Sequence, residues 1–291
     1  SSDLTVEEDD NQELEEAWDD VTGAALDPER VKQARREEIE YVRKMTLYDK
    51  VPMSECVRQT GRQPISVRWI DINKGDERNP KYRSRLVAME FKCDTREDLF
   101  AATPPVEAKK LLMSLAMTES YGYSRDNPLS GMKLDFIDVR RAYFHVVSRR
   151  RVFVELPPED SQEGYCGRLL ESMYGTRDAA ANFQKEVKRF MTNCGFKTGV
   201  YNPCTFYHAE KNLKTLVHGD DFVTVGERRE TEWMRKKLGE RFEIKTKVIG
   251  NGAGEEKEGK VLNRIIRTTE QGWRSEEHTS ELQSRQYLVC R

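Results

Sequence analysis

The sequence is short of several things that would place it quickly. No apolar run approaches the roughly 20 residues of a membrane-spanning helix, and no apolar stretch near the start resembles a secretory leader. No membrane partner is therefore expected. Cys-x-x-Cys does not occur. The six cysteines (Cys56, Cys93, Cys166, Cys194, Cys204 and Cys290) are scattered, and the four histidines miss zinc-ligand spacings. A disulfide framework and a structural zinc are not expected; reduced thiols in an intracellular compartment are. Lys and Arg are missing altogether from the first 29 residues, which carry twelve acids. Without that segment the net charge moves from −2 to +10, so the remainder is basic enough to meet a polyanion.

Hydrophobic residues are lean at 37% and charged residues rich at 34%, across a length of 291 that suits one large domain or two modest ones. Residues 1–29 read as an acidic disordered linker, because like charges repel and little is available to bury. RSEEHTSELQS, from 274, lacks strand or helix periodicity and resembles translated library-adapter sequence. Residues 274–291 are accordingly expected to be a non-native tail and carry no fold reasoning.

Between these ends helices and strands mix without a βαβ rhythm, which predicts an α+β fold. Residues 27–45 read as a helix, with Asp27 as N-cap and Pro28 in the first turn. RWIDINKG and KYRSRLVAMEF read as strands joined by a turn, and VEAKKLLMSLAMTES as a helix after Pro104-Pro105. MKLDFIDVRRAYFHV reads as a buried strand running into a turn or helix, and RVFVELP as a short strand. TRDAAANFQKEVKRFMTNCGF and ETEWMRKKLGERF read as helices, and FEIKTKVIG and KVLNRIIRT as a last pair of strands.

LVHGDDFVTVG, at 216–226, places Asp220 and Asp221 between two apolar strand arms. Taken alone, such a tip is a solvated hairpin turn. Two carboxylates about 4 Å apart repel by roughly 4 kcal/mol at a surface-like dielectric, and a divalent cation is the usual compensation. A third carboxylate would come from Asp138, on a predicted central strand. Its rival Asp135 lies three positions away and would face the other side. Pairing with Arg140 or Arg141 is the plainer fate of Asp138.

Several stretches, in order, carry a resemblance. DVRRAYF at 138–144 resembles the DVxxAF-like element of reverse transcriptases, and HGDD at 218–221 resembles their YxDD turn. MYGTRDAAANF at 173–183 is similar to the LYGLKQAPRxW element of the copia-type retrotransposon family. INKGDERNPKYRSRLVAMEF, FAATPPVEAKKLLMSLA, RVFVELPPED and GFKTGVYNPCTFYH are similar to further elements of that family, over about residues 30–272. The resemblance implies the right-hand fingers (about 50–130) and palm (about 131–272) of a polymerase. The palm would be an antiparallel sheet with helices on one face. It also implies a longer Pol polyprotein with protease, integrase, thumb and RNase H, working inside the cell in cytoplasmic virus-like particles and the nucleus.

The implied activity is RNA-directed DNA synthesis from deoxynucleoside triphosphates (dNTPs) on a template-primer of RNA or DNA. Asp138, Asp220 and Asp221 would form the catalytic and metal-binding set for two Mg²⁺ ions, with Mn²⁺ as an alternative. Ala142 and Tyr143 would meet the incoming nucleotide, Tyr143 lying beneath the sugar to exclude a 2′-hydroxyl; a core aromatic beside Phe144 is the other reading of Tyr143. Arg83 and Arg85 alternate on one strand and could share a face toward the triphosphate. Tyr174 and Gly175 would sit at the palm's mouth, with glycine allowing a close backbone approach. Lys245 falls near the family's late-palm lysine, a general acid toward pyrophosphate; a solvated strand lysine is the plainer reading. Thr176, Asp178, Ala180, His218 and Gly219 depart from the family pattern. Two other readings remain: a truncated or decayed remnant that only binds nucleic acid, and a two-metal nuclease or phosphatase.

Overall fold

Helix formation begins where one aspartate supplies the missing acceptor. Asp27 Oδ1 accepts from Glu29 N at 2.9 Å and Arg30 N at 3.3 Å, and Pro28 opens the helix with a φ already suited to it. This computed structural model describes residues 16–76, 78–91, 99, 101–118, 131–250, 252, 254–261, 264–269 and 272–277. Strands β1 (Ala17–Trp18) and β2 (Ala25–Leu26) precede α1 (Pro28–Lys44). Next come β3 (Tyr48–Pro52), α2 (Met53–Thr60), β4 (Val67–Asn73), β5 (Tyr82–Ala88) and α3 (Val106–Met117). Strand β6 (Lys133–Val139) runs into a 3₁₀ turn at Ala142–His145, followed by β7 (Phe153–Val154), β8 (Tyr165–Leu169) and α4 (Ala179–Asn193). The chain continues through β9 (Lys197–Thr198), β10 (Thr205–His208), β11 (Leu213–His218), β12 (Asp221–Gly226), α5 (Arg228–Arg241) and β13 (Ile244–Ile249). It closes with β14 (Glu258–Val261), β15 (Arg264–Thr269) and β16 (Gly272–Glu277). All paired strands are antiparallel, so the fold is α+β as expected.

The chain divides into two units, 1–100 with 143–182, and 101–142 with 183–291. In the first, α1 buries Val31, Ala34, Ile39 and Val42, and a core forms from Ile39, Val42, Leu86, Ala88, Phe144, Val154 and Met173. Strand pairing there runs β3–β8–β7 and β4–β5. The β4–β5 turn is closed by side chains: Asn73 Oδ1 accepts from Gly75 N and Lys81 N. The acidic start departs from the disorder expected of it, because its described part, from Glu16, has partners. Asp19 and Asp20 accept backbone N–H groups from β4, and β1 pairs with β2. Those edge donors need acceptors, and the two carboxylates provide them. Residues 274–277, placed with the tail, lie in β16 and pair with β15; 278–291 lie outside the described residues.

In the second unit six strands form one sheet in the order β13–β6–β12–β11–β10–β9. The expectation of helices on one face is corrected here. On one face Leu134, Leu216, Val223 and Val225 pack with Leu112 and Ala116 of α3. On the opposite face Asp135 meets Arg235 of α5, Nε to Oδ2 at 3.1 Å. Each face presents apolar side chains at alternate positions, so each needs its own cover.

Asp135 is fully buried and its carboxylate oxygens lack aligned hydrogen-bond donors, although Arg235 stands close. Burial pushes its pKa up from 3.8 to about 7, against the pull of Arg235. The folded state therefore holds a proton that the unfolded chain releases across that window, and stability falls as pH rises through it. Asp135→Asn removes this fall. Its melting temperature should gain on the wild type between about pH 5 and about pH 8, as followed by thermal circular dichroism.

Candidate active site

The hairpin that carries Asp220 and Asp221 has a two-residue tip. His218 pairs with Asp221, leaving Gly219 and Asp220 as the turn. Gly219 has φ +63° and Asp220 is not among the positive-φ residues. That combination matches a type II′ turn, which asks for glycine at its first central position and fits the twist of the strands. A Cβ at 219 would meet nothing within 4 Å, so glycine serves the backbone here.

Sheet register then sets the carboxylates. Asp221 of β12 lies directly opposite Asp138 of β6, and Lys245 of β13 lies opposite Asp138 on its other side. Directly opposed residues point to the same face, so His218, Asp221, Asp138 and Lys245 form one row. Val139 N donates to Asp220 O at 3.0 Å, which makes 139 and 220 a hydrogen-bonded pair. The adjacent Asp138–Asp221 pair is then the non-hydrogen-bonded kind, in which Cα atoms approach to about 4.5 Å and side chains stand closest. Asp135 lies on the other face, as its spacing predicts. Arg140, offered as a partner for Asp138, pairs with Glu243.

Electrostatics bear out the crowding. Burial, Asp220 and Asp138 together push the Asp221 carboxyl up to about 6, and only Lys109 pulls it down. The His218 imidazole is held below its ordinary value by burial and by Lys109, against Asp220. Among the described residues no three His, Cys, Asp or Glu side chains are arranged to close on a metal by themselves. The donor chemistry nonetheless suits a hard divalent cation: carboxylate oxygens that repel one another beside an apolar layer. Mg²⁺ ordinarily takes one or two carboxylates and completes its shell with water and phosphate.

Other expected residues gather in the first unit. Ile72 opposes Arg83 and Ile70 opposes Arg85, so both arginines share one face of the β4–β5 pair. They line a pocket of about 410 Å³ with Lys74, Tyr174 and Gly175. The Arg85 guanidinium lies 4.4 Å from the Tyr174 ring centre, and Tyr143 packs on the same ring at 4.5 Å. Phe144 is fully buried in the core whereas Tyr143 is only partly buried, which separates the two adjacent aromatics. Ala142 is buried in the second unit, following Arg141 with its unusual φ of +48°.

Gly175, which lines this pocket, also approaches the chain itself closely. Its φ is +84° and an added Cβ would run into the Ala88 carbonyl oxygen. Ala88 N donates to Tyr174 O at 2.8 Å, so this turn is stitched to β5. Asp178, a departure from the family pattern, accepts from Arg150 at 2.6 Å and from Asn182 at 2.9 Å. Arg150 also holds Glu90 with two bonds, of 2.9 and 2.8 Å. Burial would raise both carboxylates, but the Arg150 bonds hold them below the usual range. The departure thus builds an internal ion network at the start of α4.

A family model described as reverse transcriptase (RNA-dependent DNA polymerase) matches residues 55–251, more than half of the chain. The chain belongs to the reverse transcriptase family. No curated protein matches the sequence. Among solved structures, apo telomerase from Candida tropicalis, truncated from its C-terminal domain, has 9% identity and a TM-score of 0.45. Telomerase from Candida albicans with a fragment of telomeric RNA has 10% and 0.47. The foamy viral protease-reverse transcriptase with dsDNA has 14% and 0.41. These matches cover 87%, 84% and 94% of this chain but only 61%, 50% and 49% of theirs, so the chain spans roughly half of each.

Lys109 is the residue of this reverse transcriptase chain that motif reading missed. It sits on α3 at the helical spacing of Leu112, Met113 and Ala116, which pack against the sheet. A cation on an otherwise apolar stripe was the available signal. Gly219→Ala should cost about 1–3 kcal/mol for the positive-φ backbone alone. Gly175→Ala should cost more, above about 3 kcal/mol, since overpacking against backbone adds to the same strain. Urea denaturation of both variants checks the order.

Proposed function

We propose that the chain is the polymerase region of a copia-type retrotransposon polyprotein, extending a primer on an RNA or DNA template with dNTPs. The carrying observation is the opposition of Asp138 and Asp221 in one sheet row, beside Asp220 at the turn, within a chain of this family. In this reading Asp138 and Asp220 hold two Mg²⁺ ions and Asp221 supports them. The bound ions would supply Lewis-acid chemistry at the primer hydroxyl and the leaving pyrophosphate. The fingers then span about residues 50–130 and the palm about 131–272.

The chain's own groups prepare the site. Asp221 stays ionised above about pH 6, where it can share in holding a cation. Lys109 offsets part of the carboxylate repulsion, and Lys245 stands opposite Asp138 as a candidate proton donor. Arg83 and Arg85 take the triphosphate. Tyr143, fixed against Tyr174, excludes a ribose 2′-hydroxyl.

Primer extension on poly(rA)–oligo(dT) with Mg²⁺ tests the reading. Asp220→Asn should slow it about a thousandfold, equivalent to about 4 kcal/mol of barrier. The wild-type rate should fall toward low pH, where protons compete with the cation for the Asp221 carboxyl, which burial, Asp220 and Asp138 raise in the metal-free chain. Equal rates for variant and wild type would end the proposal. Tyr143→Ala should raise ribonucleotide incorporation relative to deoxyribonucleotide by about tenfold or more, read from paired extension assays, because a lost steric clash is worth at least about 1.4 kcal/mol.

A further inference from the structure

The pocket beside Arg83 and Arg85 has a wall that the family match does not include. That match begins at residue 55, yet Val21 lines the pocket with Ile70, Ile72, Lys74 and Val87. Val21 is 76% exposed, so burial does not hold it there. Hydrogen bonds do. Asp19 Oδ1 accepts from Val21 N at 2.9 Å and Thr22 N at 2.8 Å, while its Oδ2 accepts from Asn73 N at 2.8 Å. Asp20 Oδ2 accepts from Asp71 N at 2.8 Å, and Asp20 N donates to Asp71 O at 2.9 Å. One carboxylate thus shapes the turn that carries Val21 and ties that turn to the free edge of β4. The opposite face of β4 is fixed independently: Asp71 takes Arg35 at 2.6 Å and the Ser84 hydroxyl at 2.6 Å.

We propose that Val21 is a specificity-determining residue of a nucleotide site, and that Asp19 is its positioning residue. The pocket is amphipathic. Lys74, Arg83 and Arg85 offer cations for phosphate oxygens, and Arg85 Nε is buried without a hydrogen-bond partner of its own. Val21, Ile70, Ile72 and Val87 offer an apolar wall for the flat base or the sugar edge. A ligand with an anionic end and a weakly polar planar end fits both, which is the chemistry of a nucleotide. It can arrive as a free dNTP or as a nucleotide of a single-stranded template. Choosing nucleotides over other amphipathic anions rests on the polymerase reading; the placement of Val21 does not.

Binding is measured on the full chain without Mg²⁺, by fluorescence anisotropy, with a fluorescently labelled dATP and with a labelled single-stranded oligo(dT). Val21→Ala should weaken one of these ligands by about three- to tenfold, the range expected for losing one to two methyl contacts. Val21→Ile should restore it. Asp19→Asn should weaken the same ligand to a similar degree, and the ligand affected identifies the source. Thermal melts of each variant report whether the fold persists. Unchanged affinities in Val21→Ala, failure of Val21→Ile to restore binding, or absence of binding to both probes by the wild type would each overturn the inference. If primer extension fails while the Val21 effect persists, the polymerase reading falls and this inference stands.

Discussion

Like-charge repulsion between Asp138 and Asp221 is the constraint around which the second unit is arranged. Register brings the two carboxylates together in the pair geometry where side chains stand closest. An unconstrained chain would let them separate. Here the arms of the hairpin are buried at Leu216, Val223 and Val225, and β6 is held between β12 and β13. Apolar packing therefore opposes the relaxation of charge, and burial, then Asp220, then Asp138 raise the pKa of Asp221. Lys109 lowers it in part, from α3.

Much of this was legible before any coordinates. The alternation of β6 assigned Asp135 and Asp138 to opposite faces, and the same rule put Arg83 and Arg85 together. The Asp27–Pro28 start of α1 followed from capping chemistry, which is local and so readable from a few residues. What escaped was long-range. The acidic stretch around Asp19 and Asp20 looks unfoldable in isolation, because the donors it satisfies lie on β4, more than fifty positions away. Covering of both sheet faces escaped for a related reason: α3 and α5 are far apart in sequence, and periodicity does not say which face each one takes. The close approach of Gly175 to the Ala88 backbone is likewise a contact that no local pattern contains.

Departures from a family pattern need not mark decay. Asp178 and Gly219 both differ from the pattern the sequence resembles, and both have physical partners or duties. Asp178 completes an ion network with Arg150 and Asn182, and Gly219 supplies the one backbone conformation that a tip of this length requires. Both departures thus have a structural duty of their own, in a chain whose register sets Asp138 opposite Asp221.

Strand β6 also polices its own pairing. Asp135 and Asp138 sit three positions apart, each matched to a different environment: one to Arg235 beneath α5, the other to the open row with Asp221. A shift of one residue would turn the strand over. Asp135 would then be driven into the apolar layer under α3, and Asp138 into the space beneath α5. Misaligned sheets would thus carry two misplaced carboxyl groups at once. A chain that pairs wrongly meets a penalty at both faces, so the spacing of these two acids favours a single register.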